Sequence, residues 1–185
     1  GRYFEVTIGP VTFFIVDSGL NGSELVVEPD GIFEGSRQYS AILTAVLRST
    51  SPWKIVCLHH ALFTSGTTYY PGITDLRWIN RLPVHAVISA HSHLYERLTI
   101  ASRPNLTVGT GGGELHTFRG SPYPGSVTRI AAFGFLRLTA TCDECTLEFV
   151  DTDGVVQDTL ELPATPYLPE IGATMDPQIV THPSS

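Results

Sequence analysis

Lysine, charge and long apolar runs are all scarce in this chain of 185 residues. Lys54 is the only lysine and the formal net charge is −7, which argues against a nucleic-acid-binding surface. Charged residues make up only 16% of the chain and apolar ones 42%, a balance that excludes disorder for most of it. No apolar run approaches the roughly 20 residues that a membrane-spanning helix needs. Internal repeats are absent. Cysteines number three. Cys57 lies within an apolar run and is expected to pack as a small hydrophobe. Cys142 and Cys145 form the CxxC of "TCDECT" between two strand-like runs. That pair reads either as two thiols at a hairpin tip, reduced or oxidised, or as part of a small zinc module, although the second ligand pair a zinc site needs is not visible. Asn21 and Asn105 open glycosylation-type triplets of the kind that are common by chance.

What the sequence does have is histidine in particular places. Four of its seven histidines directly follow two β-like runs: His59 and His60 after "WKIVCL", His91 and His93 after "VHAVISA". The chain opens with "RYFEVTIG" and "VTFFIVDS" around Gly9-Pro10, a hairpin pattern. Residues 19–35, rich in Gly, Glu and Asp, read as an exposed loop. "SRQYSAILTAVLRST" places Tyr39, Ile42, Leu43, Val46 and Leu47 at helical spacing with Ser36 as N-cap. "WKIVCLHH" is a short strand, apolar enough to be buried on both faces. A second helix is expected over "TDLRWINRL" with Thr74 as its cap, followed by the strand "VHAVISA". Strand, helix, strand at this spacing predicts a βαβ unit with parallel neighbours. "NLTVGTGGG" reads as a strand ending in glycines, "IAAFGFLRLTAT" and "TLEFVDTDG" as long antiparallel strands, and "VVQDTLEL" as a further one after the Asp153-Gly154 turn. From Pro163 onward the prolines recur without periodicity, so residues 163–185 are expected to form a linker or tail and residues 1–162 the domain.

Ligands in α/β sheets gather where strands end at their carboxyl edge. Alternation would point His91 and His93 the same way, about 6.6 Å apart at the backbone. That spacing suits one ion for each imidazole, in a pair of ions roughly 3.5–4 Å apart, better than a single structural zinc. His85 and His182 read instead as ordinary hydrogen-bonded histidines, while His116 follows a glycine loop that approaches the same edge. The run Gly111–Gly113 matches no phosphate-loop pattern and on its own marks a turn where two backbones pass closely.

With these residues in view, the chain resembles the calcineurin-like metallophosphoesterases of the purple acid phosphatase type. Val56-Cys57-Leu58-His59 matches their VxxH block, and Ala90-His91-Ser92-His93 matches GHxH with alanine for glycine. "LYER", "WKIVCLHHALF", "VGTGGGELH" and "FGFLRLTATCDECTLEFVDTDGVV" are similar to the stretches that surround those blocks in that branch. The resemblance spans about residues 1–162 and implies the C-terminal part of an α/β/β/α sandwich. The earlier blocks, which supply aspartates, an asparagine and an iron-binding tyrosine, have no match, and the expectation is that they lie upstream of Gly1. "GLNGSE" only superficially resembles one of them. The resemblance implies two metal ions, iron paired with zinc, manganese or a second iron. His59 and His91 would hold the divalent ion and His93 the other. His60 would touch a metal ligand or the substrate without binding an ion itself, and His116 would contact the substrate. The implied activity is hydrolysis of a phosphate ester, whether monoester, diester or nucleotide, by a metal-activated hydroxide. The implied partner is therefore that substrate. The resemblance is compatible with a secreted or periplasmic address. Taken alone, the chain is expected to be inactive. The alternative is a catalytically degenerate binding module on the same fold.

Overall fold

The computed structural model describes residues 2–19, 28–68 and 71–167. The opening hairpin is β1 (Phe4–Ile8) and β2 (Val11–Val16), antiparallel and joined through Gly9 at a φ of 56°. Helix α1 (Arg37–Arg48) starts at Ser36, whose side chain accepts from the Tyr39 backbone N–H, and carries the chain to β3 (Trp53–His60), parallel to β2. A 3₁₀ helix (Pro71–Arg81) then leads to β4 (Ala86–Ala90), parallel to β3. Strands β5 (Tyr95–Ile100), β6 (Arg103–Val108) and β7 (Ser126–Ile130) complete a seven-stranded sheet of order β1-β2-β3-β4-β6-β5-β7. Its centre, from β2 to β6, is parallel, and its two margins are antiparallel. A second sheet of order β10-β9-β8 is formed by β8 (Gly134–Ala140), β9 (Cys145–Asp151) and β10 (Val156–Glu161), antiparallel throughout.

Period-two alternation in the central strands divides their side chains between two cores. Phe14, Val16, Val56, Leu58 and Val87 face α1 and the 3₁₀ helix. Val11, Trp53, Ile55 and Ala86 face the other way, against Leu147 and Phe149 of the second sheet. Only strands covered on both sides tolerate such apolar runs, so the architecture is the expected α/β one, with β4 in fourth place beside β3.

Three local expectations are corrected, and one strand is added. The second helix starts at Pro71 rather than at a Thr74 cap and is 3₁₀, because Ile73, Leu76, Ile79 and Leu82 recur every three residues and all four are buried. "IAAFGFLRLTAT" is not one strand, since it ends β7 in one sheet and starts β8 in the other. Gly134 stands at that crossing, where a Cβ would overlap the Val150 carbonyl oxygen. The loop after β2 is not all exposed, because Glu28 and Ile32 are buried and Glu28 accepts from Arg2 Nε at 2.7 Å. "LYER", not anticipated as a strand, opens β5.

A half-buried ion pair ties the two sheets together. Asp158 of β10 accepts from Arg97 Nε at 2.7 Å, Arg97 Nη2 at 2.9 Å and Tyr95 Oη at 2.7 Å. Burial alone would raise the Asp158 carboxyl, but the Arg97 and Tyr95 hydrogen bonds prevail and hold it below the usual carboxylate range. A depressed folded-state pKa stabilises the fold above the unfolded value of about 4 and loses that contribution as pH falls through the folded value. Asp158→Asn should therefore cost about 2–3 kcal/mol at pH 7. In urea titrations that difference should shrink as the pH is lowered below about 4. A constant difference down to pH 3 would show that the carboxylate's charge is not what matters.

Candidate functional site

Because β2, β3, β4 and β6 are parallel, their carboxyl ends share one edge of the sheet. Ser18 follows β2, His59 and His60 end β3, His91 and His93 follow β4, and the glycines from 109 to 113 follow β6. A cavity of about 370 Å³ at this edge is lined by His59, His91, His93, Gly109 and Gly111–Gly113. A wider groove of about 820 Å³, carrying the exposed Phe133 and Phe135, shares Gly111 and Gly112 with it.

The tightest group is His59, His60 and His91, whose nearest ring nitrogens all lie within 4.8 Å of one another. His59 Nε2 and His91 Nδ1 are 3.1 Å apart. Two imidazoles on one tetrahedral zinc, with bonds of about 2.0–2.1 Å, would place their nitrogens about 3.3 Å apart. The His59–His91 pair thus already stands near ligand spacing. Three imidazole ligands suit a borderline divalent ion such as zinc or iron(II) better than calcium or magnesium, which prefer oxygen. Strict alternation would send His60 to the face opposite His59. A register shift between Cys57 and His60 in the β3–β4 ladder brings both rings to the same place. His60 is buried, with Nδ1 2.6 Å from Ser18 Oγ. Burial first, and then the neighbouring His91 and His59, lower its pKa to about 4, so the ring is neutral at pH 7. His91 is likewise lowered, first by burial and then by the other histidines.

His91 has a φ of 61°, a left-handed conformation that costs a non-glycine residue about 1–2 kcal/mol. Ala90, standing where the family pattern has glycine, ends β4 without a positive φ. The left-handed turn thus falls on His91 itself. After β3 the chain turns inward, burying Ala61, Leu62 and Phe63.

His93 lies on the other side of the cavity and stacks on His116, with centroids 4.2 Å apart and planes at 17°. Hydrogen bonds fix the tautomers of both rings. His93 Nδ1 lies 2.7 Å from the Glu114 carbonyl, so it carries a proton, and the neutral tautomer compatible with that bond has its lone pair on Nε2. His116 Nδ1 accepts from the His93 backbone N–H at 3.1 Å, so the proton of neutral His116 sits on Nε2. Thr68 Oγ1 also lies 3.1 Å from His116 Nδ1.

The other candidates lie elsewhere. His85 precedes β4 at the opposite edge and accepts from the Lys54 N–H at 3.0 Å. His182 and Asn21 lie outside the described residues. Asn105 is buried in β6, out of reach of glycosylation. Burial pushes the Cys57 thiol up to about 12 and Cys145 up to about 11. Cys142 and Cys145 are not disulfide-bonded, and among the described residues neither belongs to a three-ligand group.

No protein-family model matches the sequence, and no curated protein matches it. Solved structures do. A purple acid phosphatase, PPD1, from yellow lupin (Lupinus luteus) seeds superposes with a TM-score of 0.72 at 22% identity, over 86% of this chain and 32% of the lupin chain. PhoD superposes with a TM-score of 0.56 at 14% identity, over 86% of this chain and 40% of its own. GAP50, described as the anchor in the inner membrane complex of Plasmodium, gives a TM-score of 0.53 at 15% identity, over 91% of this chain and 54% of its own. This chain therefore spans from 32% to 54% of the length of these structures. At such identities the likeness is one of architecture, and the architecture is a metallophosphoesterase-like α/β fold.

Proposed function

We propose that the chain carries the histidine side of a metal-dependent phosphoric ester hydrolase centre. The convergence of His59, His60 and His91 within 4.8 Å at the carboxyl edge of a phosphatase-like sheet carries this reading. His59 and His91 would hold a divalent ion, with His60 as a third nitrogen in reach. His93, through the free lone pair of Nε2, would serve a second ion. The proposed pair is iron with zinc, manganese or a second iron, of which zinc and iron(II) suit imidazole best. When bound, the ions supply a water activated for attack on phosphorus and offset charge on the phosphoryl oxygens. The protein's own groups orient the ester. Nε2–H of His116 would donate to a phosphoryl oxygen, and Ser18 holds His60 in place through Nδ1.

Among the described residues, the three-imidazole cluster includes no carboxylate. Neutral ligands alone leave two cations uncompensated, so the complete centre needs acidic side chains from outside this cluster. We therefore read residues 1–162 as the C-terminal portion of a larger metallophosphoesterase domain, residues 163–185 as a linker or tail, and the isolated chain as inactive. A second reading, a binding module without turnover, is favoured by the same lack of carboxylates and by the likeness to a Plasmodium anchor protein. The test is hydrolysis of an aryl phosphate with added zinc, manganese or iron. It compares this chain, a longer protein that contains it, and the His91→Asn variant of each. Turnover by the longer protein alone, lost in its variant, is the expected result. Turnover that survives His91→Asn would overturn the assignment, and none by the metal-loaded longer protein would support the binding module.

A further inference from the structure

We propose that Glu96, in the "LYER" stretch, is the positioning residue that fixes the His93/His116 imidazole pair, acting through Ser65 and the loop from 64 to 68. Glu96 is fully buried in β5. Among the described residues it has no salt-bridge partner. A buried carboxylate without a cation persists only if hydrogen-bond donors saturate it. Here they do. Oε2 accepts from the Ser65 N–H at 2.7 Å and from Thr64 Oγ1 at 3.1 Å. Oε1 accepts from Ser126 Oγ at 2.7 Å and from Ser65 Oγ in a short hydrogen bond. Four donors meet the four lone pairs that a carboxylate offers.

Most of these donors belong to one loop, and that loop reaches the imidazoles. The hydroxyl of Ser65 gives its proton to Glu96 and accepts from the Tyr123 N–H at 2.7 Å, while the Ser65 carbonyl accepts from the Arg119 N–H at 2.8 Å. Gly66 bridges Phe118, and the Thr67 N–H donates to the Thr117 carbonyl at 3.1 Å. The segment held in this way ends at His116, whose backbone N–H donates to the His93 carbonyl at 2.9 Å. Thr68 closes the circuit from the same loop. Its side chain meets His116 Nδ1, and its carbonyl accepts from Ser92 Oγ at 3.0 Å, one residue before His93. Glu96 touches neither imidazole. It sets the loop that sets them, whereas His59 and His60 are held by β3 and the Ser18 contact, outside this circuit, and the turn that carries His91 meets it only through Ser92.

The purpose assigned to the pair rests on the function proposed above, but the test needs neither metal nor substrate and so succeeds or fails separately. It is side-chain NMR of the histidine-labelled chain, comparing the parent with Glu96→Gln, Ser65→Ala and Thr68→Val. Gln keeps the volume but turns one acceptor into a donor that faces donors. Ser65→Ala removes only the relay hydroxyl, and Thr68→Val only the last link. In Glu96→Gln and Ser65→Ala the ring signals of His93 and His116 should move, and the unprotonated-Nδ1 signature of His116 should weaken. The signals of His59 and His60 should stay in place. Thr68→Val should move the same pair by less. Should Glu96→Gln fail to fold, Ser65→Ala and Thr68→Val decide. Unchanged His93 and His116 signals in Ser65→Ala would overturn the proposal. So would a movement of all five histidines together, the mark of a residue that merely supports the fold.

Discussion

Replacing His91 with asparagine should weaken zinc binding by this chain on the order of 100-fold or more, with little change in its thermal stability. His91 is the hub of the cluster. Its Nδ1 lies 3.1 Å from His59 Nε2, and its ring lies 4.5 Å from that of His60. Its removal leaves only His59 and His60, with ring centroids 4.8 Å apart, in the group. Asparagine is the informative replacement because it accepts the left-handed backbone at this position better than most residues do. Alanine would lose the ligand and keep the backbone cost, mixing two effects. Affinity is read by competition with a chromophoric chelator, and stability by thermal melting. His116→Asn is the control, since that ring lies outside the cluster. Equal zinc affinity in His91→Asn and the parent would show that the three imidazoles are not the metal site.

Much of the fold is legible in the sequence because burial on both faces leaves an unmistakable trace. β3 and β4 are short and almost wholly apolar, and the structure sets them side by side at the centre of the sheet. β5 left no such trace because "YERLTI" carries Glu96 and Arg97 in its middle. Both charges are accommodated by partners distant in sequence, Ser65 and Ser126 for one and Asp158 for the other, which no local pattern can anticipate. The 3₁₀ helix was readable in principle, for its apolar residues recur every three positions, not every 3.6. Strand ends alone place His59, His91 and His93 at one edge, and the structure brings these three to one cavity. His60's place in the tightest group was not legible, because it depends on a ladder irregularity that re-aims a side chain alternation assigns to the other face.

The glycines after β6 should separate fold from site, with the largest loss of stability at Gly109. Its backbone passes directly under the turn that carries the histidines. A Cβ there would overlap the Ser92 carbonyl oxygen and come within 2.8 Å of the Ser92 carbonyl carbon and 3.1 Å of His93 Cα. These are backbone atoms, so no rotamer change relieves the contact, and the end of β6 or the turn between β4 and β5 must move. Gly109 N–H also donates to the Leu94 carbonyl at 3.2 Å, a bond that the movement would stretch. Overpacking without an escape route costs about 3 kcal/mol or more, so Gly109→Ala should unfold at markedly lower urea concentration. Gly111→Ala meets nothing within 4 Å and should be nearly silent. Gly113→Ala falls between them in kind, for its Cβ would lie 2.7 Å from His93 Nδ1, at the far end of a side chain that can turn. Turning that ring breaks its hydrogen bond to the Glu114 carbonyl and its stack on His116. Gly113→Ala should therefore leave the urea midpoint close to the parent's while moving the His93 and His116 NMR signals. If Gly111→Ala proved as costly as Gly109→Ala, the close approach of the two backbones at Gly109 would not be what this loop conserves its shape for.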